Sequence, residues 1–117
     1  MPTKIIDNQV QKTDLLDLEL KSKHGALVKA VVDIKRAIMI TGMTMHSDGE
    51  EILLENGSKQ VDLWGISLYL QQSDDGWIEY DAVINLRPSH GNDSRGVNDP
   101  LIRQKIREIV NQLVKST

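Results

Sequence analysis

The 117-residue sequence contains no cysteine, no phenylalanine and only three prolines. Without cysteine, the chain can form no disulfide, no thiolate metal site and no cysteine nucleophile. No apolar run approaches the roughly 20 residues that a membrane-spanning helix needs, and residues 1–12 lack the apolar core of a signal peptide. A net charge of −3 gives no general attraction to nucleic acid or to anionic membranes. We therefore expect a cytoplasmic protein with no nucleic-acid partner and no membrane partner.

Aliphatic side chains are what the sequence has in quantity. Leu, Ile and Val account for 34 residues, whereas Trp and Tyr together account for four. This aliphatic content is well above that of disordered chains, so a core can form. The length suits one domain, which we assign to residues 1–117. The two Trp should be structural anchors, and Trp64 in particular should be buried.

Alternation of apolar and polar residues predicts two β-hairpins. The first joins strands over Ala26–Ile34 and Ala37–Met45, and the density of β-branched residues favours it over the alternative of one helix across 28–40. The second joins Asp62–Leu70 to Trp77–Leu86, with the even-numbered residues of both strands facing the core. Within the N-terminal segment 1–12, Lys4–Asp7 is a candidate edge strand.

Helix start and stop signals predict three helices. The first covers Asp14–Lys23, and the second covers Asp48–Asn56 behind a capping box of Ser47 and Glu50. The third begins after the Asp99-Pro100 pair and runs to about Lys115. One apolar stripe of this last helix should face the core, and it contains Leu101, Ile102, Ile106, Ile109, Val110 and Leu113. The order (β)-α-β-β-α-β-β-α predicts an α+β fold with a mainly antiparallel four- or five-stranded sheet and helices packed on one face.

A long polar stretch, Asn85–Pro100, separates the last predicted strand from the last helix. It reads N-L-R-P-S-H-G-N-D-S-R-G-V-N-D-P. Loops of this length are uncommon in compact domains and are usually functional or disordered. Arg87 and Arg95 could bind a phosphate or carboxylate bidentately, with help from His90, Asn92 and Ser94. In the alternative interpretation, which we slightly favour, the two Arg pair with Asp93, Asp99 or Asp33 and fasten the loop.

Two further groups of polar residues are candidates for a site. One lies on the predicted outward face of the sheet and comprises Lys29, Asp33, Glu79, Asp81, Asn85 and Arg87. For Glu79 and Asp81 a solvated sheet face is the better explanation. The other is the pair His46 and Asp48, an H-x-D spacing that could supply two metal ligands, or a base and its orienting acid. Two ligands do not make a metal site, so we expect no metal and no cofactor.

Several blocks of the sequence resemble a known family. They are V-K-A-V-V-D-I at Val28–Ile34, H-S-D at His46–Asp48, L-L-E-N-G-S-K-Q-V-D-L-W-G-I at Leu53–Ile66, and the polar stretch Asn85–Pro100. Together they resemble a family of small prokaryotic proteins filed as a domain of unknown function, and the similarity covers nearly all of 13–113. Small departures are Ala37, where Gly often follows the turn, and Thr44, where Leu is usual. The resemblance implies one intact domain and supplies no activity.

These observations leave two classes of function open. The leading hypothesis is a binding or regulatory module, a homo-oligomer, that uses the loop 85–96 for a small anion or a protein partner. The alternative is a small hydrolase-like enzyme acting on a phosphate or carboxylate substrate. In that alternative His46 or His90 would be the base, and Arg87 and Arg95 would clamp the anion.

Overall fold

Seven short strands and two longer helices are assigned in the computed structural model, which describes residues 3–15, 27–72 and 75–115. The strands are β1 (Lys4–Ile6), β2 (Val10–Gln11), β3 (Val28–Asp33), β4 (Ile38–Thr41), β5 (Leu63–Leu68), β6 (Ile78–Glu79) and β7 (Val114–Lys115). The helices are α1 (His46–Glu55) and α2 (Pro100–Leu113), and residues 12–15 are also helical. Most of the predicted helix Asp14–Lys23 lies outside the described residues.

Five of the strands form one antiparallel sheet in the order β1-β4-β3-β5-β6. The predicted α+β class and the hairpin of β3 and β4 are confirmed, and β1 lies at a sheet edge as predicted. The last helix ends at Leu113, two residues earlier than predicted, because Val114 and Lys115 leave it to pair with β2 in a small parallel sheet.

The turn between β3 and β4 is organised by one buried carboxylate. Asp33 Oδ1 accepts hydrogen bonds from the backbone N–H groups of Lys35 and Arg36, each at 2.9 Å. Its Oδ2 accepts from Ser58 Oγ at 2.6 Å. Ala37 closes the turn with φ +56°, in the left-handed region that costs a residue with a Cβ roughly 1–2 kcal/mol. A glycine at this position would adopt the same conformation without that strain.

Helices cover both faces of the sheet, so the prediction that they pack on one face was wrong. The even-numbered residues of β3 and β5 share one face of the sheet, called the even-numbered face below, and the odd-numbered residues of these two strands share the other. The even-numbered face packs against Ile106 and Val110 of α2. It includes Trp64, which is only 5% exposed, as predicted. The odd-numbered face packs Val31 against Leu53 of α1. Val31 and Val32 are both fully buried on opposite faces, and continuous apolar runs of this kind mark strands covered on both sides.

The helix termini match the predicted signals in part. Asp99 caps α2, accepting a hydrogen bond from Leu101 N at 2.9 Å. Leu101 itself is 72% exposed, so its assignment to the core stripe was wrong, because the first turn of α2 extends past the core. The predicted capping box of Ser47 and Glu50 does not form, because α1 already begins at His46 and no side chain caps it.

The predicted strand Trp77–Leu86 is shorter than expected, because β6 ends at Glu79 and residues 83–85 form a 3-10 turn. The cause lies on β5, at Gly65. A Cβ added there would lie 2.5 Å from Ala82 Cβ and 3.1 Å from Ile84 Cγ1. The missing side chain of Gly65 therefore lets residues 82–84 pack directly on β5, where a continuing strand would have run alongside it.

Candidate functional site

Side chains of the long loop occupy the edge of β5 beyond the end of β6. Asn85 Oδ1 accepts a hydrogen bond from Gly65 N at 2.8 Å, and Asn85 Nδ2 donates to Gly65 O at 3.0 Å. Two residues further on, Arg87 Nη2 donates to Leu63 O. Asn85 is fully buried, which corrects its predicted place on the outward face of the sheet. Its amide instead makes the pair of bonds that a neighbouring strand would have made.

A second buried amide, that of Asn92, holds the loop to itself. Asn92 Nδ2 donates to three backbone carbonyls, those of Asn85 at 2.7 Å, Ser94 at 3.1 Å and Gly96 at 2.8 Å. Its Oδ1 accepts from Asn98 N at 2.8 Å. The loop is therefore ordered by internal hydrogen bonds, which offset the backbone entropy lost in fixing it.

Ser94 and Asp33 are also engaged within the fold. Ser94 Oγ donates to Asn98 Oδ1 at 2.7 Å and accepts from Gly96 N at 3.1 Å, while Asp33 is the fully buried carboxylate of the β3–β4 turn. Polar atoms committed in this way are poorly placed to receive a ligand.

Apart from Asp48, the remaining candidates divide between two clefts. The larger, which we call the sheet cleft, has a volume of about 380 Å³ and lies on the odd-numbered face. Its polar lining comprises Lys29, His46, Ser47, Ser67, Glu79, Asp81 and Arg95. The strand register places Lys29 opposite Ser67, and Ser67 opposite Glu79. Three adjacent strands therefore each contribute a polar side chain to one concave surface.

The charged side chains of the sheet cleft differ in whether they have a partner in an ion pair or a hydrogen bond. Arg95 Nε lies 2.9 Å from Asp81 Oδ1 in an ion pair that both residues leave half exposed. Glu79 Oε1 accepts a hydrogen bond from the Tyr69 hydroxyl at 3.1 Å. Among the described residues Lys29 has neither an ion pair nor a side-chain hydrogen bond. The two acids thus have partners within the protein, whereas the Lys29 ammonium has none among the described residues.

His46 contributes a neutral imidazole to this cleft. Its Nε2 lies 2.8 Å from the Ile66 carbonyl oxygen, and since a carbonyl only accepts, Nε2 carries the proton and Nδ1 is left with a lone pair. Burial lowers the pKa of His46, and the nearby positive charges of Lys29 and Arg95 lower it further. The hydrogen bond to Ile66 and the charge of Asp81 act in the opposite direction and do not overcome the burial.

Arg87 and His90 lie apart from this group, in a smaller cleft of about 250 Å³ beside Trp64. The guanidinium of Arg87 stacks 4.6 Å from the centre of the Trp64 ring. Burial lowers the pKa of Arg87, and the charge of Glu50 opposes this shift. The two Arg of the loop therefore serve different surfaces, with Arg87 packed onto the fold and Arg95 facing the sheet cleft.

The pair His46 and Asp48 is not brought together as a site. Asp48 is exposed in the first turn of α1, whereas the His46 side chain is buried. Over 3–15, 27–72 and 75–115, no three His, Asp or Glu side chains cluster in a way that could hold a metal ion. Within the same ranges, no helix has the length and apolar character to cross a membrane.

The sequence of this chain matches a known protein family over most of its length. Residues 4–113 match the family described as "Protein of unknown function (DUF5674)". The chain belongs to this family. Neither the curated proteins nor the solved structures contain a match.

Some residues that line the sheet cleft of this DUF5674 protein were not among the predicted site residues. The sequence pattern indicates ordinary strand or surface positions for Ser67, Glu79 and Asp81, and it gives no reason to single out Met45 or Val83. The signal that could have found Ser67 is its polar side chain at an odd position of an otherwise apolar strand. Its alignment with Lys29 depends on the strand register, which the sequence does not specify.

Proposed function

We propose that the protein is a binding protein that holds a small phosphate- or carboxylate-bearing molecule in the sheet cleft. The observation that supports this is the position of Lys29. Lys29 lines a concave surface in which the acids are already engaged by Arg95 and Tyr69. A ligand anion would supply the partner that Lys29 lacks within the described residues.

Arg95 is suited to serve as the second cationic contact. Exposed ion pairs contribute only about 0–1 kcal/mol, so the Arg95 guanidinium can exchange Asp81 for a ligand anion at little cost. Its backbone is fixed meanwhile, because Arg95 O accepts hydrogen bonds from Asn85 Nδ2 and from Ala82 N, both at 3.0 Å. A fixed backbone reduces the entropy lost when the side chain binds, which gives the internal bonds of the loop a role in binding.

Anion titration tests this proposal directly. Phosphate and acetate, titrated calorimetrically at low ionic strength, should each bind saturably at one site, with chloride salts as the reference. Lys29→Gln and Arg95→Gln should each weaken binding by roughly tenfold, the loss of one charge-assisted hydrogen bond. Lys105→Gln removes the same charge from an exposed position on α2 and should leave binding unchanged. Equal weakening by all three variants, or no saturable binding, would contradict the proposal.

A hydrolytic function is the second candidate, and the state of His46 is what favours it. An imidazole with its lone pair on Nδ1 and a lowered pKa can act as a general base near neutral pH, and the hydroxyls of Ser47 and Ser67 line the same cleft. Hydrolysis of small phosphate and carboxylate esters by the wild type, lost in His46→Gln, would support it. Ester turnover equal in the two proteins would reject it.

A further inference from the structure

The sheet cleft is lined by apolar as well as by charged side chains. Met45 is 57% exposed and Val83 is 65% exposed, and both line the cleft together with Leu27 and Ile84. Exposed single hydrophobic residues are common. Here two exposed and two partly buried apolar side chains line the same cavity as Lys29, whose ammonium has no partner among the described residues. Methionine is also a flexible side chain that adapts to apolar ligands.

We infer that the ligand is amphiphilic, a free small molecule with a carboxylate or phosphate head and an aliphatic segment. This inference rests on the proposed function. The head binds Lys29 and Arg95, and the aliphatic segment lies between Met45 and Val83. The cleft volume of about 380 Å³ falls in the range of small-molecule pockets, which typically combine an apolar lining with a few polar groups that fix orientation.

The aliphatic contact predicts a dependence on chain length. Each methylene that leaves water should tighten binding roughly two- to fourfold, until the chain reaches the end of the cleft. An amine of the same length should not bind at the head position, because Lys29 and Arg95 repel its charge and the carboxylates of Asp81 and Glu79 are engaged by Arg95 and Tyr69. A site for a bare anion would instead show the same affinity for every carboxylate in the series.

The experiment titrates the full chain with acetate, butanoate, hexanoate and octanoate, with inorganic phosphate, and with hexylamine. Affinity should rise from acetate to hexanoate, and hexylamine should not compete. Met45→Ser and Val83→Ser should flatten the rise and leave acetate and phosphate binding unchanged. Both positions are exposed, and Ser at position 45 is a favoured helix N-cap, so both variants should fold. Leu101→Ser, an equally apolar change on the exposed first turn of α2, should keep the rise.

The outcomes separate the two proposals. Binding of acetate and phosphate with no dependence on chain length would overturn the amphiphilic ligand and leave the anion site standing. A length dependence that survives in Met45→Ser and Val83→Ser would also overturn it, because the apolar contact would then lie elsewhere. Binding of hexylamine as tight as that of hexanoate would overturn the role of the anionic head. Failure of every anion to bind would reject the proposed function itself.

Discussion

Asn85→Asp replaces the side-chain NH₂ group at the edge of β5 by an oxygen, and the new side chain has nearly the same size and shape as the old one. Asn85 Nδ2 donates to the carbonyls of Gly65 and Arg95, both at 3.0 Å, and an ionised Asp would direct an oxygen at both. Two lost hydrogen bonds cost roughly 1–3 kcal/mol together. Burial and the two carbonyls should raise the pKa of the new acid, and each unit of that rise adds about 1.4 kcal/mol at neutral pH. With a rise of about two units, which is within the range for buried carboxyl groups, the total should be about 4–6 kcal/mol, a large part of the stability of a typical domain.

Chemical denaturation of wild type and Asn85→Asp at pH 7 and pH 5 measures this cost. The free energy of unfolding lost in the variant, relative to wild type, should shrink at pH 5, because the protonated acid regains one donor and loses its buried charge. Gln60→Glu makes the same amide-to-acid change at an exposed position and should cost less than 0.5 kcal/mol, as is usual for surface changes. A loss below about 1 kcal/mol at pH 7, or one that grows on acidification, would refute the account of Asn85.

Three further predictions concern the packing and the titration of the fold. Gly65→Ala should destabilise the protein by about 1–3 kcal/mol or more, since the new Cβ would lie 2.5 Å from Ala82 Cβ; an unchanged melting temperature would contradict that contact. Ile106→Ala should cost about 2–5 kcal/mol and Leu101→Ala less than 0.5 kcal/mol in urea unfolding, and equal effects would contradict the burial pattern of α2. Burial lowers the pKa of His46 in the folded protein, so below the ordinary His pKa of 6.5 the unfolded chain binds a proton at this residue more readily than the folded protein does. The free energy of unfolding should therefore fall as the pH drops below 6.5, by up to about 1.4 kcal/mol per pH unit. The His46→Gln variant should lose that part of the pH dependence, and a variant curve parallel to wild type would contradict it.

Elements whose signals are local could be predicted from the sequence. The start of α2 needs only Asp99 and Pro100, and its buried face needs only the spacing of Ile106, Ile109 and Val110. The β3–β4 hairpin likewise follows from alternation and a short charged turn. In each case the residues that determine the structure are close together in the chain, so the pattern alone contains the information.

The predictions that were wrong depend on contacts between residues that are far apart in the sequence. Alternation continues through Tyr80, Ala82 and Ile84, so the sequence predicts a strand there. Gly65, which lies far earlier in the chain, is what allows residues 82–84 to pack directly on β5 instead. The candidate site shows the same limitation. Asn85 and Asn92 resemble ligand-binding residues by type, and only their contacts show that the fold uses them. The presence of Lys29 and Arg95 in one cleft depends on the strand register and on the path of the loop.

The hydrogen bonds that side chains make to the edge of β5 affect whether two copies of this protein can associate through their strands. A strand edge with free N–H and C=O groups is a template on which a foreign strand can add. At Leu63 and Gly65 those groups are taken by the side chains of Arg87 and Asn85, so protection from intermolecular strand addition depends on two side chains. Substituting both should uncover the backbone groups of Leu63 and Gly65 as an open β-edge, so the variant should aggregate more readily than the wild type.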